Sequence, residues 1–251
     1  MIRDLQQLES AQPFSFTAVE GLLAVEHALH EALRYVPYCE SHRKVWSAPF
    51  TTIILEACSQ LDSIWKATAK LNTPSLKEND HTNIKHHHDR FGSFVAKQHV
   101  VFFGNESPSL ITPFADWPNA TEFAAPAWWQ AYTALKHDRF SNQSQGTLEH
   151  AVNSVAALLL AIVYSGQCDL AIVTASLLDT GDYNPWAYSD LIRDIPNEIH
   201  PKVETKLFAH PVGVFGKECT LSHDWRGNSV RFNAWWALNS KKFTTVKSTS
   251  S

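Results

Sequence analysis

The side chains best suited to chemistry gather in the stretch Trp128 to Phe140, WWQAYTALKHDRF, which closes on Lys136, His137, Asp138 and Arg139. An imidazole titrates near neutral pH and can take up and return a proton. A guanidinium grips and neutralises a phosphate through its fork of donors. His137 and Arg139 supply both groups, Lys136 adds a second positive contact, and Tyr132 offers a ring to stack on or a hydroxyl to donate. Asp62, on a helix expected to pack alongside, is the carboxylate that would orient Arg139. A purely structural account competes with this one, because basic residues in a last turn complement the negative end of a helix dipole.

Helix geometry constrains how these groups can work together. In a continuous helix Trp128, Tyr132, Leu135 and Arg139 share one face, and Trp129, Thr133, Lys136 and Phe140 share the next. His137 and Arg139 are two residues apart, roughly 200° around an ideal helix, so they address one phosphate only if the helix ends between them or a second protomer supplies one of them. A homodimer that brings two such turns into one basic cleft would complete the site.

A second cluster comprises His86, His87, His88 and Asp89, with His81 before it and Arg90 behind. Three consecutive histidines point three ways on a helix, whereas zinc ligands must converge, so these are expected to be solvated surface histidines and no metal site is assigned. His27 and His30, on one side of the first helix, receive the same reading. The cysteines Cys39, Cys58, Cys168 and Cys219 lack any CxxC pairing and are expected to be buried thiols. No phosphate loop, nucleophile elbow or HExxH motif occurs, and no cofactor is expected. The tryptophan pairs Trp128/Trp129 and Trp235/Trp236 read as packing anchors.

The elements that must position these residues follow from apolar spacing. A helix is expected over Phe16 to Tyr35, ended by Pro37, and a second over about Pro49 to Leu71 with Ser47 or Pro49 at its start; on it, Asp62 and Lys66 are four residues apart and can pair. Asp80 to Lys97 is a charged helix or loop, the run HVVFF before Gly104 and Asn105 is strand-like, and SPSLITPFADWPNATEFAAPA is expected to be loop. A third long helix, carrying the WWQAYTALKHDRF motif, begins after Pro126. A fourth over Thr147 to Ser165 is apolar nearly all round and belongs at the centre. Beyond Gly181, turn residues separate KLFAHPVGVF from NSVRFNAWWAL, and a small antiparallel sheet or irregular cap is expected there.

The fold class is therefore mainly α: a bundle of four or more helices with a small irregular or β-rich C-terminal segment. The expected division is a helical domain over 1–180, an extension of it over 181–240 and a polar tail over 241–251. With 44% hydrophobic residues, a formal charge of -4 and a pI near 6.3, the chain can fill one core and is not a globally basic nucleic-acid binder. The polar N-terminus does not read as a signal peptide, and the longest apolar run, Ala151 to Tyr164, is shorter than the roughly 20 residues that cross a bilayer. A cytoplasmic protein with no membrane contact is expected.

WWQAYTALKHDRF, followed by the small-residue-rich apolar helix LEHAVNSVAALLLAIVY, resembles the Trp-Trp-x-x-Tyr-x-x-x-Lys-His-x-Arg pattern of bacterial proteins related to the HEPN superfamily. The upstream ILEACSQLDSIWK, with an acidic residue shortly before lysine, is similar too, so the resemblance spans residues 35–70 and 110–165, under half the chain. It implies an all-α, usually dimeric fold from a class rich in toxin and phage-defence ribonucleases that cut RNA without metal. His137, Arg139 and Lys136 would be its catalytic cluster, with Asp62 and Tyr132 in support. The nuclease families carry an arginine followed a few residues later by histidine. Here Phe-Ser-Asn-Gln-Ser-Gln follows Arg139 and the next histidine is His150. The alternative is a non-catalytic helical interaction protein that binds a protein partner through the same basic turn.

Overall fold

Apolar residues recurring every three to four positions build the long helices, and each helix buries the face that carries them. The computed structural model describes residues 13–72, 83–105, 108–117, 123–179, 202–211 and 229–239. Helix α1 (Pro13–Leu33) buries Val19, Leu22, Val25 and Leu29 and stops ahead of Pro37. Helix α2 (Ala48–Asn72) starts after Ser47, whose hydroxyl accepts from the Phe50 amide, and buries Phe50, Ile54, Ala57, Leu61 and Trp65. Three helices follow: α3 (Ile84–Val95), α4 (Ala127–His137) and α5 (Leu148–Ser165). Among the described residues the remaining helices are α6 (Asp169–Thr174) and α7 (Ser229–Asn239).

Helix α5 is central to the helical layer. Its N-cap Thr147 accepts from the His150 amide at 3.2 Å, and Gly166 ends it in the left-handed conformation, φ +64°. It packs against α1, α2 and α4, and α2 in turn touches α1 and α4. Each fully buried Leu, Ile or Val on it stabilises the fold by about 1.5–3 kcal/mol. By length and composition this helix could cross a membrane, but 72% of it is buried inside the fold.

A five-stranded antiparallel sheet, in the order β2-β1-β5-β4-β3, adjoins the helices. Its strands are β1 (Val100–Phe102), β2 (Ser109–Ile111), β3 (Leu178–Asp179), β4 (Lys202–Glu204) and β5 (Phe208–Pro211). Strand alternation divides its two faces. Val100, Phe102 and Phe208 join the main core beneath the helices, while Val101, Phe103 and Ala209 face the other way and are covered by Phe232 and Trp236 of α7.

The fold is thus mainly helical with a small antiparallel sheet, and three expectations are corrected. Ser109–Ile111, read as loop, is a strand because it pairs with β1, Val101 opposite Leu110. The run NSVRFNAWWAL, expected to be sheet or irregular, is helical from Ser229 onward, because Phe232 and Trp236 lie four residues apart and meet the outer face of the sheet together. Helix α4 ends at His137, three residues short of Phe140. The sheet draws strands from both sides of residue 180, with β5 seated between β1 and β4.

Candidate functional site

The two tryptophans of the motif fix α4. Trp128 donates its indole N–H to the Pro113 carbonyl at 2.7 Å, Trp129 packs edge-on to Tyr132 with centroids 5.1 Å apart, and both indoles are buried. The expectation that they anchor rather than stack on bases is met. Tyr132 is only 6% exposed, so it offers no face to a base; its ring instead supports the Lys136 ammonium, 5.4 Å from the centroid.

Past Lys136 the chain reaches solvent. Residues 136–141 are all exposed, and Phe140 stands 84% exposed. The helix stops at His137: the next residue, Asp138, has φ -148° and ψ 89°, far from helical values. Asp138 then closes a local turn, its carboxylate accepting from the Ser141 amide at 3.1 Å, and hydrogen bonds from the Ser141 hydroxyl and amide hold its pKa below that of an ordinary aspartate. Asn142 ties the turn back, donating to the carbonyls of Ala134 and Asp138. The helix therefore ends between His137 and Arg139, which removes the opposite-face arrangement that an ideal helix would impose.

Asp62 does not support this turn. Its carboxylate receives Lys66 Nζ at 2.5 Å and His87 Nε2 at 3.0 Å, and it pairs with neither Lys136 nor Arg139. Burial pushes the Asp62 carboxyl up, but the hydrogen bonds from His87 and Lys66 outweigh it and leave the group more acidic than usual. The spacing of Asp62 and Lys66 indicated their pairing. The partnership with His87 was hidden, because the link between α2 and α3 is tertiary.

The three histidines diverge, as their spacing requires, but not all of them into solvent. His86 completes a capping box with Asn83, its Nδ1 accepting from the Asn83 amide at 3.2 Å while Asn83 accepts from the Lys85 and His86 amides. His87 is 0% exposed and lies against Trp65, centroids 4.9 Å apart, with Nδ1 lacking a hydrogen-bond partner. His88 packs edge-on to Trp117 and Phe123. The expectation of surface histidines fails for His87 because α3 docks onto α2 and needs a polar partner for Asp62. Among the described residues no group of three or more His, Cys, Asp or Glu side chains could hold a metal ion; His81 and Cys219 lie outside the described residues.

Family models, curated proteins and solved structures were compared with the chain. None of them matches it. The site is therefore defined by its own geometry, an exposed turn bearing Lys136, His137, Arg139 and Phe140 on a helix anchored by buried tryptophans.

Proposed function

We propose that this chain is a HEPN-like protein of bacterial defence or toxin type that contacts RNA through residues 136–140 and cuts it as a metal-independent endoribonuclease. The observation that carries this is the end of α4 at His137, which frees Arg139 from the helix and lets both side chains turn to one phosphate. Arg139 and Lys136, neither engaged by a carboxylate among the described residues, would bind the phosphate and stabilise the charge that builds on it. In the chemical step the ribose 2′-oxygen attacks phosphorus and the bond to the 5′-oxygen breaks. One proton leaves the 2′-hydroxyl and one is delivered to the departing oxygen.

A single imidazole per chain would have to perform both transfers in turn. A homodimer that sets two such turns together supplies two, one His137 as base and the other as acid. Two basic turns brought together repel unless phosphate lies between them, so binding should weaken as salt rises.

The test is incubation of purified protein with total RNA and with tRNA, with and without chelator, beside Arg139→Ala and His137→Ala. Cleavage that survives chelator and is lost in both variants supports the proposal. RNA left intact by the wild-type chain overturns it.

One observation favours the non-catalytic alternative. Asp62 is occupied by Lys66 and His87, so Arg139 lacks the orienting carboxylate expected for a preorganised active site. In that reading Phe140 and the neighbouring cations are the anchor for an acidic protein partner, and the turn binds without cutting.

A further inference from the structure

The exposed turn does not stand alone at its end of the molecule. The loop that enters α2 runs antiparallel to the chain that enters α5: the Leu148 amide donates to the Val45 carbonyl at 2.9 Å, the Glu149 amide to Arg43 at 3.0 Å, and the Ser47 amide to Gly146 at 3.1 Å. Trp46 pairs with Thr147 in this short ladder and yet holds its side chain 51% exposed. The connection from residue 141 to 147 leads directly from the basic turn to that ladder. Its short helical turn Gln143–Gln145 packs against both α4 and α2, and Gly146 sits so close to α2 that a Cβ there would overlap the Thr51 hydroxyl. Trp46 and Phe140 are therefore held at one end of the fold. Six residues separate Phe140 from Thr147, so the rings are within reach of one short extended strand of nucleotides.

Around the two rings Arg43, Lys44, Lys136 and Arg139 face the carboxylates of Glu40, Asp138 and Glu149, so the cations are in slight excess. Arg43 bridges Glu40 at 3.2 Å and Glu149 at 3.6 Å, while the Asp138 carboxylate accepts from the Ser141 amide and keeps its charge. Lys44, Lys136 and Arg139 are exposed and, among the described residues, pair with no carboxylate; His137 lies beside them. Unpaired cations alternating with exposed, backbone-anchored rings are what single strands bind, since phosphates track the cations and bases stack on the rings. A duplex keeps its bases stacked internally and offers only its phosphates.

We infer that Trp46 and Phe140 are stacking platforms for single-stranded RNA, with Lys44 extending the phosphate track from Lys136 and Arg139. This rests on the proposed RNA-contacting role of the turn and adds to it the strandedness of the substrate and a second contact region before α2.

The experiment is fluorescence anisotropy with a labelled oligouridylate and with a duplex RNA of equal length, in chelator, for the wild type, Trp46→Ala, Trp46→Phe, Phe140→Ala and Lys44→Ala. Each variant is checked by thermal melting and assayed for RNA cleavage. Tighter binding of the single strand is expected, weakened roughly tenfold or more in Trp46→Ala and Phe140→Ala and largely restored in Trp46→Phe, with the duplex little affected. Lys44→Ala should lower affinity for both and reduce the salt dependence. If the wild type cuts RNA and Trp46→Ala binds and cuts as well as it does, the platform is overturned while the RNA-cutting role stands. If the wild type neither binds nor cuts RNA but holds an acidic polypeptide such as polyglutamate, both are overturned.

Discussion

Asp62 Oδ1 accepts from His87 Nε2 at 3.0 Å, joining α2 to α3 beside the ring of Trp65. The other ring nitrogen, Nδ1, is buried in the aromatic wall without a hydrogen-bond partner, so this bond is the one that satisfies the imidazole. Asp62→Ala orphans a buried donor and should cost about 1–3 kcal/mol in chemical denaturation. Asp62→Asn keeps an acceptor for His87 and loses mainly the half-exposed Lys66 pair, so it should cost under about 1 kcal/mol. RNA cleavage should survive Asp62→Asn, because this carboxylate does not reach Arg139.

Glu26 gives a second measurable link between layers. Buried on α1, it accepts from the Thr205 hydroxyl and from the Leu207 amide at 2.7 Å, clasping the turn between β4 and β5. Burial raises its pKa above the ordinary carboxyl value, against the lowering effect of these bonds. A raised value means that its contribution is present at low pH and declines as pH rises through the folded-state value. Glu26→Gln, which retains the accepting oxygen, should be near neutral or stabilising at pH 7. Glu26→Ala should cost about 1–3 kcal/mol by leaving the Leu207 amide unpaired. Urea midpoints of the two variants across pH check this.

His210 sets the acid limit from another place. Its Nδ1 lies 2.7 Å from the His99 carbonyl, its Nε2 2.7 Å from the Tyr164 hydroxyl, and burial lowers it from the ordinary 6.5 to about 4. The folded state resists protonation that the unfolded chain accepts, so this contribution is complete above about pH 6.5 and is lost as pH falls toward 4. The loss tied to Asp62 begins lower, near the ordinary aspartate range and below. His210→Gln, which cannot titrate, should flatten the upper part of the stability curve and leave the lower part. An unchanged curve would show that the ring does not report its surroundings.

Much of the helical framework was legible because α1, α2, α4 and α5 carry long apolar stripes with caps such as Ser47 and Thr147, signals written in neighbouring residues. What was not legible depends on distant partners. Ser109–Ile111 becomes a strand only because β1 lies beside it, and α7 is a helix because the sheet presents Val101, Phe103 and Ala209 for Phe232 and Trp236 to cover. At the site, the motif indicated an anchored helix ending in cations, and that is what α4 is. Tyr132 was misread as available because a tyrosine one turn before a basic end looks exposed on a wheel, whereas Trp129 packs over it. Trp46 was passed over because an exposed tryptophan in a loop has no periodic neighbours; the polar segment between Pro37 and Pro49 was the only local hint.

Gly146 tests whether the basic end is a rigid surface. A Cβ there would press on Thr51, which is buried and cannot swing away freely. Gly146→Ala should therefore destabilise by about 1 kcal/mol or more and expose residues 141–147 to limited proteolysis sooner than in the wild type. Unchanged melting and cleavage patterns would mean that this contact does not hold the loop.

The most direct measurement is the identity of the RNA ends left by the wild-type chain in chelator. Attack by the 2′-oxygen under the control of His137 and Arg139 predicts 2′,3′-cyclic phosphate and 5′-hydroxyl ends, absent from the Arg139→Ala reaction. Intact RNA, or fragments with 3′-hydroxyl and 5′-phosphate ends that vanish in chelator, would contradict it.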